Sequence, residues 1–237
     1  MTADWFEATV LDARMVTPNG RLLTLEVPGW PGSEAGQHVD VRLTADDGYQ
    51  AVRSYSMATS GPSAQLELAV DRLPDGEVSP YLVDDILPGD QLEVKGPIGG
   101  YFVWRPTQSE PIQLIAGGSG VVPLMAMVRA HRDAGSAAEM RMLYSVRTPA
   151  YAYFVDELAG LHSLGLQWAY TVAAPEGWTG RLGRIDADSI AAAVLTVGQS
   201  PTIYVCGSNG FVEHTANLLV QAGHDPARVR TERYGGS

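Results

Sequence analysis

The sequence predicts two domains in series, an antiparallel β-barrel followed by an α/β domain built on a parallel sheet. Two observations of pattern carry this. Up to about Trp104 apolar and polar residues alternate over short runs, and after the segment WRPTQSEP (104–111) the rhythm becomes apolar strand, glycine turn, apolar helix. The third observation is size: 237 residues, 45% of them hydrophobic, suffice for one large core or two modest ones.

In chain order, FEATVLDARMV, RLLTLEV, HVDVRL and QLELAV read as strands, separated by PNG, PGWPGSEAG, ADDG, SGPS and LPDG. Strands at that spacing, punctuated by turn residues, fit a barrel or a sandwich. SPYLVDDIL, from Ser79 to Leu87, reads as one helical piece, with Ser79 as its N-cap and Pro80 at its start. Beyond it IQLIA leads into VPLMAMVRAHRDAG, MRMLYSV into YFVDELAGL, and TIYVCG into GFVEHTANLLVQAG. Strands alternating with helices in this way form right-handed β-α-β units. The boundary falls near 107, giving domains 1–107 and 108–237.

Composition excludes several classes of function. Sixteen basic against 27 acidic residues leave a net charge of −11, without the basic footprint a nucleic acid requires. Cys206 is the single cysteine, so an internal disulfide and a cysteine-built iron–sulfur or zinc centre are excluded, and no metal is expected. The opening residues MTADWFEATV lack the basic start and apolar core of a signal peptide, and no apolar run approaches the roughly 18 residues of a membrane span. A cytoplasmic protein without a membrane partner is the expectation, and a monomer is compatible with it.

Three stretches carry chemistry. In IQLIAGGSGVVPLMA (112–126) Gly118, Ser119 and Gly120 lie where a strand hands over to a helix, and free N–H groups with a positive dipole suit a phosphate there. The dinucleotide fingerprint has a third glycine where this chain has Pro123, a residue suited to a first helical turn. Taken alone, the stretch is equally a tight turn. In RSYS, Arg53 can fork onto phosphate, Tyr55 can lie against a flat ring, and the Ser56 hydroxyl can bond a ring nitrogen, a set that suits a flavin nucleotide. An ordinary exposed strand is the other reading. Third, Gly76, Glu77, Val78 and Ser79 precede the helical piece, with Arg72 close by, as a second anion site or as plain capping.

The order of the motifs is more specific than any one of them. Arg53-Ser54-Tyr55-Ser56, Val70-Asp71-Arg72 with Gly76-Glu77-Val78-Ser79, Gly96-Pro97-Ile98-Gly99, Gly117-Gly118-Ser119-Gly120 with Pro123, and Cys206-Gly207-Ser208 together resemble the ferredoxin–NADP(H) reductase-like flavoproteins. The resemblance runs from about residue 5 to the end. It implies a barrel domain holding FAD and an α/β domain holding the nicotinamide dinucleotide, and the form of a stand-alone oxygenase-type reductase without a fused ferredoxin domain. It further implies Arg53 as diphosphate ligand, Tyr55 as the flavin-stacking ring and Ser56 near flavin N5. Val70, Arg72 and Gly76 to Ser79 complete that cradle. Gly118 to Gly120 and Pro123 belong to the nicotinamide nucleotide, and Cys206, Gly207 and Ser208 lie beside its reactive ring, although Cys206 is equally a small buried hydrophobe. In the tail RTERYGGS, Glu232 becomes a proton relay and Tyr234 a cover for the flavin, with a disordered tail as the alternative.

The coenzyme is NADPH or NADH. Ser145 and Arg147 follow a strand where the family meets the adenosine ribose, and Arg147 can pair with a 2′-phosphate. It can equally be a solvated or docking residue. Phe154 replaces a common tyrosine, and Thr171-Val172 lacks a second arginine. The function implied is transfer of electrons from NADPH or NADH through FAD to a separate ferredoxin or similar carrier serving an oxygenase. Two alternatives stand beside it: a diaphorase or free-flavin reductase using small acceptors, and a flavin-binding subunit without turnover. Arg14, Arg21, Arg42, Arg72, Lys95 and Arg105 supply candidate positive charges for docking an acidic carrier.

Overall fold

A computed structural model describes residues 5–45 and 47–234. The first four residues of the expected barrel domain and the last three of the tail RTERYGGS lie outside the described residues. The chain divides into two units: residues up to Arg105 together with Met125–Ala134, and Pro106–Leu124 together with Gly135 onward.

The first unit is antiparallel. Its strands are β1 (Trp5–Thr17), β2 (Gly20–Glu26), β3 (His38–Thr44), β4 (Gln50–Ser56), β5 (Gln65–Asp71) and β6 (Gln91–Ile98), in the sheet order β4-β3-β6-β1-β2-β5. Past the end of β4 the sheet curls back on itself, since Met57 bridges Leu68 of β5 and the Ala58 amide donates to the Glu67 carbonyl at 2.8 Å. β1 supplies the bend. It pairs with β6 over Trp5–Thr9 and with β2 from Thr9 onward, and its register shifts between Val10 and Asp12. A bulge of that kind turns a strand from one neighbour to the next. Alternate residues point inward, so Val39 and Val41 of β3, Leu66 and Leu68 of β5 and Val94 of β6 share one buried core with Leu82 and Ile86.

The helical piece expected over Ser79–Leu87 is shorter than its sequence suggests, with a named turn at Tyr81–Asp85. Pro80, not Ser79, holds the N-cap position, and no side chain caps it. The Ser79 hydroxyl instead accepts the amide of Leu73 at 3.0 Å, tying down the loop after β5.

The second unit is parallel throughout. β7 (Ile112–Gly117) leads through the single turn Gly118–Gly120 into α1 (Val121–Asp133), followed by β8 (Met140–Val146), α2 (Val155–Ala159), β9 (Gly165–Tyr170), α3 (Ala187–Ala193), β10 (Thr202–Ser208), α4 (Asn209–Gln221) and β11 (Val229–Tyr234). The sheet order is β11-β10-β7-β8-β9. β7 is buried at every position, as a central strand covered on both faces must be. From Met125 on, α1 is counted with the first unit, where Arg129 bonds the Ala58 carbonyl at 3.0 Å and the Glu67 carboxylate at 2.8 Å.

Two elements differ from their sequence expectation. The helix expected over YFVDELAGL shrinks to the five residues of α2, entered through Phe154 in a left-handed conformation. The tail as far as Tyr234 is not coil but the strand β11, because Val229 is buried in the core of this unit and the backbone pairs with β10 from Ile203↔Val229 to Ser208↔Tyr234. No helix among the described residues is long and apolar enough to cross a membrane.

Candidate functional site

In the first unit the RSYS stretch lies on β4, with Arg53 opposite Val41 and Tyr55 opposite Val39. Residues paired across an antiparallel ladder share a face, so Arg53 and Tyr55 stand on the core side of the strand. Tyr55 packs against the core, and burial pushes its phenol far above the usual range, so it remains a neutral ring. Ser54 faces the other way and donates to Asp40 at 2.6 Å. Ser56, opposite His38, closes the strand.

Arg53 donates to the Val52 carbonyl at 2.7 Å and, with its other terminal nitrogen, to the Glu77 carboxylate. The Tyr49 hydroxyl holds the second oxygen of Glu77 at 2.6 Å. Arg72 donates through Nε to Asp84, also at 2.6 Å. The 72–84 segment is thus drawn to both arginines, and Gly76 closes its turn by donating to the Leu73 carbonyl at 3.0 Å. Val70 and Val78 are fully buried in the core, so only their backbones face any ligand.

The expected basic docking surface is largely neutralised. Arg14, Arg42, Arg72 and Arg105 pair with Asp12, Glu93, Asp84 and Glu34, and Arg21 is spent on the carbonyls of Ala13 and Val83.

In the second unit the candidate residues collect along one edge. Gly117 ends β7 opposite Ser145 of β8, while Cys206 of β10 lies opposite both Ala116 of β7 and Glu232 of β11. All these positions are at the carboxyl ends of neighbouring parallel strands, where open α/β sheets bind their ligands. Gly118 has φ +57, and a side chain there would find only the Tyr234 hydroxyl near its first carbon, at 3.0 Å. Gly120 has the opposite need: a Cβ would lie 2.2 Å from the Cys206 carbonyl oxygen, so only glycine lets the loop rest on the end of β10. Ser119 lies between them, and Pro123 sits in the opening turn of α1, where it forfeits no hydrogen bond.

Cys206 is 1% exposed. Burial, with a smaller push from the Glu232 carboxylate, raises its thiol well above the ordinary range, so it is a neutral SH and not a thiolate. Gly207 follows, and Ser208 holds the N-cap position of α4 without a side-chain bond. Arg147 is exposed, its guanidinium 5.5 Å from the centroid of the Tyr151 ring. Its carbonyl receives the amides of Val172 and Ala173, which sets the loop leaving β9 beside it.

Three functional candidates escape sequence reasoning. Tyr49 acts on Arg53 only through Glu77, and Phe211 is marked in the sequence only by the two glycines its ring covers, Gly117 and Gly207. The third is a direction: the Tyr234 hydroxyl donates to the Gly117 carbonyl at 2.7 Å, so this ring lies over the glycine loop of its own unit.

The residues fit the two cofactors implied by the sequence. The first unit offers arginines on exchangeable surface partners beside a half-buried neutral tyrosine, and the second a glycine loop whose Gly118 position meets no backbone, only the end of the Tyr234 side chain.

Comparison with known proteins assigns these halves separately. The family model for the oxidoreductase FAD-binding domain matches residues 7–103, and that for the oxidoreductase NAD-binding domain matches residues 114–217. A ferredoxin–NADP reductase B of Sorangium cellulosum is 31% identical over 243 aligned residues, covering 98% of each chain. The glycine betaine monooxygenase reductase subunit of Chromohalobacter salexigens is 28% identical over 210 residues, 85% of this chain but 56% of that protein, so the chain spans little more than half of that relative. Among solved structures, the ferredoxin reductase in carbazole 1,9a-dioxygenase superposes with a TM-score of 0.85 at 26% identity, over 99% of this chain and 70% of that one. With both domain models matched in order and one relative aligned end to end, the chain belongs to the ferredoxin–NADP(H) reductase-like family of FAD- and NAD-binding oxidoreductases.

Proposed function

We propose that this chain is a flavin oxidoreductase that draws reducing equivalents from NADPH, with NADH as the alternative donor. It delivers them to a separate electron-carrier protein such as a ferredoxin serving an oxygenase. Residues 1–107 form its FAD-binding domain and 108–237 its nicotinamide-nucleotide domain. The observation that carries the reading is the gathering of Gly117, Ser145, Cys206 and Glu232 at the carboxyl ends of adjacent parallel strands, with Gly118 next along the chain. Two similar proteins, by their names, are a reductase subunit of a monooxygenase and a ferredoxin reductase of a dioxygenase, which supports the choice of acceptor.

Bound to these domains, the cofactors supply hydride transfer from nicotinamide to flavin and onward release of electrons. The chain's part is to bind, orient and tune. Arg53 and Arg72 hold the flavin diphosphate, and Gly76, Glu77, Val78 and Ser79, with Val70, shape that cradle through their backbone. Tyr55 presents its neutral ring to the flavin, and Ser56 a hydroxyl to N5. The amides of Gly118, Ser119 and Gly120, at the helix that Pro123 opens, receive the nicotinamide diphosphate. Ser145 and Arg147 receive its adenosine end. Cys206, as a neutral thiol, sets an uncharged wall beside the nicotinamide, with Gly207 and Ser208 completing the turn. Glu232 would serve as a proton relay, and Tyr234 would cover the site.

The test is the absorption spectrum of the purified protein, then its anaerobic bleaching by NADPH and by NADH. A flavin spectrum bleached by either nucleotide is expected, with faster bleaching by NADPH. A protein that takes up no FAD would sink the reading. Turnover with ferredoxins against quinones, ferricyanide and free FMN then decides the acceptor, and preference for the small acceptors would make the protein a diaphorase.

A further inference from the structure

The arginines assigned to the flavin diphosphate are already engaged by the chain's own carboxylates. Glu77 takes the terminal nitrogen of Arg53, and Asp84 takes Nε of Arg72 at 2.6 Å. Both carboxylates come from one short stretch, 77–84, ahead of and within the helical turn at Tyr81–Asp85. Glu77 is also fixed from a second side, because the Tyr49 hydroxyl, on the turn leading into β4, donates to its other oxygen at 2.6 Å. The two bonds, Tyr49's first, lower the Glu77 pKa and keep it anionic.

An N–H that serves a carboxylate is not available to a phosphate. We propose that Glu77 and Asp84 are internal stand-ins for the flavin diphosphate, holding Arg53 and Arg72 in place until FAD expels them. The inference rests on the proposed role of Arg53 as a diphosphate ligand. The side chains of both pairs are well exposed, at 50% and 45% for Arg53 and Glu77 and 39% and 45% for Arg72 and Asp84, and ion pairs in such positions exchange readily. The benefit of the arrangement is that each arginine waits in an ordered, charge-balanced position. Its drawback is that two expelled carboxylates remain tethered near a dianionic ligand, and like charges oppose its binding. Glu77 should therefore weaken FAD binding through its side chain even as its backbone lines the cradle.

The experiment is a titration of the flavin-stripped full chain with FAD, followed by flavin fluorescence, for the natural protein and for Glu77→Gln, Asp84→Asn and Arg53→Ala. Glutamine keeps one oxygen to accept from Arg53 and can donate its amide N–H to the Tyr49 hydroxyl, so it removes the charge and nearly keeps the shape. We expect Glu77→Gln to bind FAD about fivefold tighter, Asp84→Asn to tighten it less, and Arg53→Ala to weaken it about tenfold or more. Thermal unfolding of each stripped variant checks that the barrel is intact. If Arg53→Ala weakens binding but Glu77→Gln does not tighten it, the stand-in idea is overturned while the flavin site survives. If Arg53→Ala leaves the affinity unchanged, both fall.

Discussion

The phenol of Tyr234, at the end of β11, donates to the carbonyl of Gly117, at the end of β7, at 2.7 Å. The two residues are 117 positions apart, and β10 lies between their strands. The bond crosses the edge where the glycine loop begins, so the last strand acts as a strap over that loop. Losing one part-buried bond of this type costs about 1 kcal/mol. Tyr234→Phe should lower the free energy of unfolding by that amount, seen as a lower urea midpoint with the slope unchanged. An unchanged midpoint would remove the strap from the account.

Gly120 tests whether the loop's contact with β10 serves binding in the second unit alone. Alanine would place a carbon 2.2 Å from the Cys206 carbonyl oxygen and 2.7 Å from the Gly207 nitrogen, both backbone atoms that cannot swing aside. Overpacking of that sort costs about 1–3 kcal/mol. Gly120→Ala should keep its bound FAD, since the barrel is untouched, while bleaching by NADPH slows about tenfold or more. Loss of FAD together with bleaching would contradict that separation.

What the sequence showed and what it hid follow from the range of the interactions. Alternation in HVDVRL and the glycine knot of IQLIAGGSG are local, and they located the barrel strands and the loop between β7 and α1. Hydroxyl capping by Ser79 gave way to another local bond, from the Leu73 amide six residues back in the same loop. The pairing of Arg53 with Glu77 spans 24 residues and depends on how the stretch after β5 folds back, which no periodicity records. The strand at the tail stayed hidden for a related reason: VRTERY is too short and polar to announce one, and only the waiting edge of β10 makes it one.

Cys206 gives a pH dependence with a definite sign. Its folded thiol titrates well above the ordinary value, chiefly through burial, whereas in the unfolded chain it ionises near about 8.5. Above that pH the unfolded state binds fewer protons than the folded one, so stability falls as pH rises. Urea midpoints measured from about pH 7.5 to about pH 10 should decline, and Cys206→Ala should flatten the decline across the thiol range. A decline of the same slope in both proteins would assign it to other groups, such as the phenol of Tyr55, which burial also raises.

The proposed 2′-phosphate role of Arg147 makes it the position at which to test the coenzyme. It stands exposed at the end of β8, its guanidinium over Tyr151 and its backbone anchoring the loop after β9 through two amides. Those anchoring bonds use the carbonyl, so a side-chain change leaves them in place. NADPH and NADH differ only by a 2′-phosphate, and a charge-assisted bond to it is worth about 1.5–3 kcal/mol. Arg147→Ala should therefore raise the NADPH Michaelis constant about tenfold or more and leave the NADH value and both kcat values nearly unchanged, because the phosphate is remote from the reacting ring and is bound equally before and during hydride transfer. Equal rises for both nucleotides would make Arg147 a scaffold for the loop. No rise for either would leave the chain without discrimination at this position, and NADH would then be the donor to favour.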